Sequence, residues 1–372
     1  MRLSLLNVVS PLLLLGATGC LSGASSTDSG DGGVKSDTGT ASSSDTESGS
    51  GEGGSSSLPD ATTAETGGGS TDGSLPSETG TMGPDSAGGG TDAKTSSDGS
   101  AASRCTMTAA QITCTQLTFT ITTPAGADVE AGTTFPSYAR VVHYQVPLGT
   151  APHSGWPTVV MYQGSFLSAG LTFSASSSDA YGMYYQTEVV KVLLDAGYAV
   201  LAPEALDSGN TYWQTNIAPY AASWIGAPDD LLVKAMLADI TDGTFGPLDP
   251  NSLYATGISS GGYMTSRMAV SYPGKFKAFA IESGAYATCL SGESAVTGGA
   301  CTVPALSATH PPTLFLHGDE DTVIVPEWTV TAYETALKAA SVAYKEVDDA
   351  NSGHQWIPEA PAAVLAWFQA YP

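Results

Sequence analysis

Positive charge is the first thing this sequence lacks: 12 Lys and Arg stand against 36 Asp and Glu in 372 residues, a formal net charge of -24. Nucleic acid and anionic membrane surfaces are bound by clustered cations, so neither is an expected partner. Long apolar runs are also wanting, since Leu3 to Leu15 is broken by Asn7, Ser10 and Pro11 and is too short to span a bilayer. Cysteine is sparse, with five residues and none in the spacing or histidine company of a zinc site, so no metal site is expected from them. Aromatic residues are absent from Leu21 to Ser103, a stretch of Ser, Gly, Thr, Asp and Glu that has nothing with which to build a core.

These absences divide the chain into three parts. Residues 1–19 read as an export leader, with Arg2 ahead of the apolar run and Ala17-Thr18-Gly19-Cys20 at its end. Small residues followed directly by cysteine resemble a bacterial lipoprotein signal, which implies acylation of Cys20 and a membrane partner through that lipid. Ordinary secretory cleavage after Gly19 is the alternative. The expected location is therefore the outer membrane or cell surface, or otherwise the secreted fraction. Residues 20–103 form an expected disordered tether, reaching on the order of 50 Å and carrying 13 acidic residues against Lys35 and Lys94. Residues 104–372 hold the aromatics and suit one catalytic domain, expected to act as a monomer. With Cys20 set aside, Cys105 and Cys114 make one close pair and Cys289 and Cys301 another, although four cysteines allow three pairings.

Within the body, Leu117 to Ile121 alternates with period two and Tyr138 to Val146 is rich in β-formers, which predicts an opening antiparallel pair. Short apolar runs then follow at Thr158–Tyr162, Tyr198–Ala202, Leu253–Ile258, Phe279–Glu282, Thr313–His317 and Val342–Val347. Helical stretches separate them, at Tyr184–Ala196, Asp229–Ile240, Gly261–Tyr272, Pro326–Ala340 and Pro358–Tyr371. Buried strands alternating with amphipathic helices predict an α/β fold with a mostly parallel central sheet and helices on both faces. Ligands in such sheets lie beyond the carboxyl ends of the strands, so the loops there are where chemistry is expected.

Gly257-Ile258-Ser259-Ser260-Gly261 fits G-x-S-x-G between a β run and an apolar-periodic helix. The glycines suit a sharp turn that presents Ser259 as a nucleophile, with the Ser260 amide at the helix N-terminus as an oxyanion donor. A chance match in a Gly- and Ser-rich chain is the bland alternative. An acid and a histidine should follow in chain order. Asp321, in the His317-Gly318-Asp319-Glu320-Asp321 turn, is the expected acid, with Asp319 as understudy. Of five histidines only His354 lies beyond Asp321, and it is the expected general base. The loop Gln163-Gly164-Ser165-Phe166 should give the second oxyanion donor, the amide of Ser165 or that of Phe166. Gln163, Phe166, Tyr263 and Trp356 are expected to contact substrate, and Tyr181, Tyr184 and Tyr185 are further candidates to line the cleft. Tyr286 to Pro304, closed by Cys289 and Cys301, is the one candidate cover.

The elbow, the H-G-x-x-D turn running on to Pro326, the Ser271-Tyr272-Pro273-Gly274 segment and the Gly353-His354-Gln355-Trp356 run together resemble the α/β-hydrolase superfamily. Within it they look like the extracellular poly(3-hydroxybutyrate) depolymerase and feruloyl/acetylxylan esterase group. The resemblance covers most of Pro157 to Pro372 and implies an α/β-hydrolase fold, a triad of Ser259, Asp321 and His354, and an acyl-serine mechanism without cofactor. Gln163-Gly164 stands where that group usually has His-Gly. A carboxylic ester of polymeric or soluble form is the implied substrate, a hydroxyalkanoate polyester first and feruloyl or acetyl esters of plant polysaccharide second. A serine peptidase and a non-catalytic surface-binding module are the remaining alternatives.

Overall fold

The short runs of small and β-branched residues noted above are buried on both faces, and this is what makes them central strands. In the computed structural model, residues 102–128, 132–206, 212–216, 220–289 and 301–372 are described. The expected leader, Cys20 and the expected tether as far as residue 101 lie outside them, as do residues 290–300 of the expected cover. The chain divides into two units, Met1–Thr91 and Asp92–Pro372, and the described residues belong to the second.

Eight strands form the main sheet: β1 (Leu117–Thr123), β2 (Tyr138–Gln145), β3 (Trp156–Tyr162), β4 (Ala199–Pro203), β5 (Leu248–Ile258), β6 (Phe276–Glu282), β7 (Thr313–Gly318) and β8 (Tyr344–Asp349). Their spatial order is β8-β7-β6-β5-β3-β4-β2-β1. The six strands from β3 to β8 pair in parallel. β2 runs antiparallel to β4 and to β1, the expected opening pair. β4 and β7 are buried along their whole length, whereas the edge strand β8 has no buried residue. Continuous apolar runs therefore mark the strands covered on both faces, and a mostly polar run marks the exposed edge strand β8.

Period-two alternation sorts the side chains into two layers. Val159 and Met161 of β3, Ala278 and Ala280 of β6 and Leu314 and Leu316 of β7 face α1 (Met183–Asp195) and α5 (Ala360–Ala370) in one cluster. Val160 and Tyr162 face α2 (Pro228–Thr241) and α3 (Ser260–Ser271), while Ile281 and Phe315 meet α3 and α4 (Val330–Ala339). Helices on both faces, together with this strand order and β2 as the one strand running against the other seven, make this an α/β-hydrolase fold.

Some boundaries differ from the sequence reading. The run expected at Val342–Val347 becomes a strand only from Tyr344, because the Val342 amide caps α4 through the Leu337 carbonyl. The stretch expected as one helix from Pro326 is a single 3-10 turn, Pro326–Trp328, followed by α4. A hairpin of Cys105–Met107 and Gln111–Cys114, extended by Ser174–Ser176, forms a separate three-stranded sheet that periodicity did not reveal, its strands being only three or four residues long. Cys105 and Cys114 are directly opposed in that hairpin and form a disulfide, and Cys289 is joined to Cys301.

Candidate active site

The carboxyl ends of the parallel strands deliver the candidate residues. Immediately after β5, Ser259 adopts φ 57° and ψ -122°, a left-handed conformation disfavoured for a residue with a Cβ. Its amide donates to the Glu282 carbonyl of β6 at 3.0 Å, which pins the turn to the neighbouring strand. The two glycines are required by close approach. A Cβ at Gly257 would lie 2.6 Å from the Tyr162 carbonyl oxygen, and one at Gly261 only 2.2 Å from it. Helix α3 thus packs its first turn against the end of β3, and Ser259 stays partly exposed between buried Ile258 and Ser260. The Ser260 amide is the first of the α3 donors, ahead of any intrahelical acceptor.

After β7 the chain turns at Gly318, where a Cβ would sit 2.1 Å from the Ser352 carbonyl oxygen. The Asp319 amide donates to Asp349 and the Glu320 amide to Ser352, at 3.0 and 2.9 Å, so the loops after β7 and β8 are fastened together. Asp321 is buried and His354 joins it from the second loop: His354 Nδ1 donates to Asp321 Oδ2 at 2.8 Å. Oδ1 accepts the amides of Val323 and Ile324 at 2.8 and 2.9 Å. His317 Nε2 donates to the Ile324 carbonyl at 2.7 Å and stands 3.2 Å from Asp321 Oδ2. Burial on its own would raise the Asp321 pKa. The hydrogen bonds from His317 and His354, the charge of His354 and the Ile324 amide outweigh it and hold the carboxyl well below the usual carboxylate range. Asp319, the understudy, is exposed on the turn and makes no described side-chain bond to His354. With Nδ1–H given to Asp321, the His354 Nε2 lone pair is left to accept a proton. Among the described hydrogen bonds none joins Ser259 Oγ to His354; such contacts tighten when substrate is bound.

The loop after β3 is built around Gln163. Its side-chain oxygen accepts the Ala205 amide at 3.1 Å, its side-chain nitrogen donates to the Leu167 carbonyl, and its own carbonyl accepts Trp213 Nε1 at 3.0 Å. Gly164 lies against Ile258, so the loop rests on the end of β5. Ser165 is half-buried, and Phe166 is 72% exposed with φ 63°.

Three expected substrate contacts need correction. Gln163, Tyr263 and Trp356 are each 1% exposed or less. Gln163 staples its loop from within. Tyr263 packs with Ile281, Phe315 and Tyr333, and Trp356 lies in the layer of Leu316 and α5. The spacing of Trp356 from His354 does not disclose that its ring turns inward. Phe166 alone of the four projects into solvent. Tyr184 and Tyr185 pack against the α1 and α5 core, whereas Tyr181 is exposed with its ring edge-on to His354 at 6.5 Å between centroids.

Sequence reasoning missed Glu282. It ends β6 opposite Ile258 and Leu316, fully buried in the apolar layer. Burial raises its pKa well above the usual carboxylate range; the Ile357 amide opposes this, and the Asp321 and Glu359 carboxylates add to the rise. A single acid closing the apolar run Phe279-Ala280-Ile281-Glu282 was the available signal.

No protein-family model matches the chain. A poly(3-hydroxyoctanoate) depolymerase from Pseudomonas fluorescens is 47% identical over 234 residues, which covers 63% of this chain and 80% of that protein. Among solved structures, a thermostable esterase aligns at 18% identity over 69% of this chain and 63% of its own, with a TM-score of 0.45. An acetyl xylan esterase from Paenibacillus sp. R4 aligns at 16% identity over 69% of this chain and 84% of its own, with a TM-score of 0.44.

Proposed function

The chain belongs to the family of the Pseudomonas fluorescens poly(3-hydroxyoctanoate) depolymerase, and from that premise we propose that it is an exported serine hydrolase that cleaves polyhydroxyalkanoate through an acyl-Ser259 intermediate. Carboxylic-ester hydrolysis is the reaction class. The observation that carries the catalytic reading is the Asp321 to His354 hydrogen bond of 2.8 Å at the strand ends where Ser259 is presented in strained backbone.

In the proposed cycle His354 Nε2 takes the proton from Ser259 Oγ as that oxygen attacks the ester carbonyl carbon. The carbonyl oxygen becomes an oxyanion facing the amides of Ser260 and Ser165. One such donor contributes about 2.7 to 4 kcal/mol in the transition state. The tetrahedral centre collapses by breaking the ester C–O bond, and imidazolium His354 protonates the departing alkoxide. A water then gives a proton to His354 and its oxygen to the acyl carbon. Collapse of the second oxyanion releases the carboxylic acid and returns the proton to Ser259. Asp321 remains ionised throughout, because its hydrogen bonds stabilise the anion.

Cys20 lipidation and the tether are part of the proposal, and the two disulfides fit an exported chain. The substrate test is hydrolysis of poly(3-hydroxyoctanoate) film beside polyhydroxybutyrate film, a feruloyl ester and acetylated xylan. Release of soluble hydroxy acids from a polyester film is expected. Turnover confined to the feruloyl or acetyl substrate would replace the polyester reading with the polysaccharide one.

A further inference from the structure

Five non-glycine residues with positive φ occur among the described residues: Phe166, Tyr181, Ser259, Ser283 and Ser341. Four of them gather near the candidate site. Ser259 is the elbow, Ser283 follows Glu282 at the end of β6, Phe166 sits on the loop after β3, and Tyr181 stands beside His354. Left-handed backbone is costly for any residue with a Cβ, and bulky side chains tolerate it least. Residues kept in it mark places where the surroundings enforce a conformation that local preference opposes.

Tyr181 is enforced from several sides. Its φ is 59° and its ψ 25°, and Gly182 follows at φ 62°. Its carbonyl accepts the Trp356 amide at 3.0 Å, and a Cβ at Gly182 would lie 2.2 Å from the Trp356 carbonyl oxygen. This turn therefore clamps the backbone two residues beyond His354. That clamp needs only main chain, and a glycine at position 181 would make it with no strain. The side chain is nevertheless a tyrosine, 51% exposed, with its ring edge-on to His354. Its hydroxyl makes no described hydrogen bond. An aromatic surface held beside a catalytic imidazole, left uncovered and maintained against its backbone preference, is suited to apolar contact with something that arrives from solvent.

We propose that Tyr181 is a substrate-contacting specificity residue, whose ring takes the apolar side chain of the ester's acyl unit as that unit is placed against His354. The inference rests on the serine-hydrolase reading and deepens it. Phe166, the other exposed aromatic in left-handed backbone, sits on the loop that carries the Ser165 amide and offers a second apolar surface there.

The test compares wild type with Tyr181→Gly, Tyr181→Ala and Tyr181→Phe on p-nitrophenyl acetate and p-nitrophenyl octanoate. Tyr181→Gly should unfold at the same temperature as wild type or higher, since it relieves the left-handed strain. For octanoate, kcat/KM should fall about tenfold or more beyond any loss on acetate in the glycine and alanine variants, mainly through KM. Tyr181→Phe should retain octanoate preference. Equal losses on both esters would overturn the proposal and make Tyr181 a support of His354 alone, and an unchanged ratio would overturn it as well. Short- and long-chain alkyl fluorophosphonates keep the test open if a variant folds poorly, because their labelling rates report only on folded protein. Wild type must be labelled by the short probe. If it is not, the serine-hydrolase reading fails; if it is, and the long-to-short ratio survives in Tyr181→Gly, only the Tyr181 proposal fails.

Discussion

Asp321 lies in a buried site where a carboxyl would ordinarily become neutral, yet two histidines and two amides keep it charged. In the proposed cycle its task is to fix the His354 tautomer. Asp321→Asn should accordingly lower kcat by about 10⁴-fold with the fold intact, the scale seen when a triad carboxylate becomes an amide. The same residue sets a stability dependence on pH. Its pKa is depressed by folding, so its contribution is fully present above the unfolded value near 3.9 and is lost as pH falls through the folded value. Denaturant midpoints of wild type and Asp321→Asn should therefore converge on acidification and separate above about pH 5. Parallel curves would contradict the assignment. At this scale the sequence was legible for placement, since Ser259 stands in the strained turn after β5 and His354 meets Asp321. It was misleading for Gln163, Tyr263 and Trp356, because spacing along a chain does not say on which side of a strand end a ring will pack. Tyr181 and Glu282 gained their places only through the turns and layers that surround them.

The nucleophile elbow owes its shape to contacts between elements. Gly261, the second residue of α3, touches the last residue of β3, and 2.2 Å separates a would-be Cβ there from the Tyr162 oxygen, which is backbone and has little freedom to yield. Gly261→Ala is expected to destabilise the fold by about 1–3 kcal/mol and to displace Ser259, so activity should fall further than the loss of folded protein explains. Urea unfolding together with active-site titration of the soluble fraction would separate the two effects. Full activity at wild-type stability would show that the elbow does not need the close approach. The apolar runs of the central strands could be read directly, because a strand covered on both faces is apolar at most of its positions. β8 was placed two residues early, since its exposed edge carries little hydrophobic signal and the end of α4 claimed Val342. The Cys105–Cys114 hairpin escaped for a related reason, as its strands are too short to show a period.

On the scale of the whole molecule, the deficit of positive charge is unevenly placed. The residues between the leader and the body carry a net -11, and the body keeps -14. We propose that the catalytic unit is residues 104–372 and that the preceding acidic segment only sets its distance from a lipid at Cys20. A chain beginning at Arg104 should keep kcat on soluble esters within about twofold, and Cys20→Ser should leave turnover intact while releasing the full chain from membranes. Loss of soluble-ester activity in the shortened chain would give the acidic segment a catalytic share, and unchanged membrane association of Cys20→Ser would remove the lipid. All of this depends on Ser259 being the nucleophile. The direct measurement is intact mass after treatment with a fluorophosphonate: a single covalent adduct on wild type and none on folded Ser259→Ala is the predicted result, and equal labelling of the two proteins, or none on active wild type, would contradict the account.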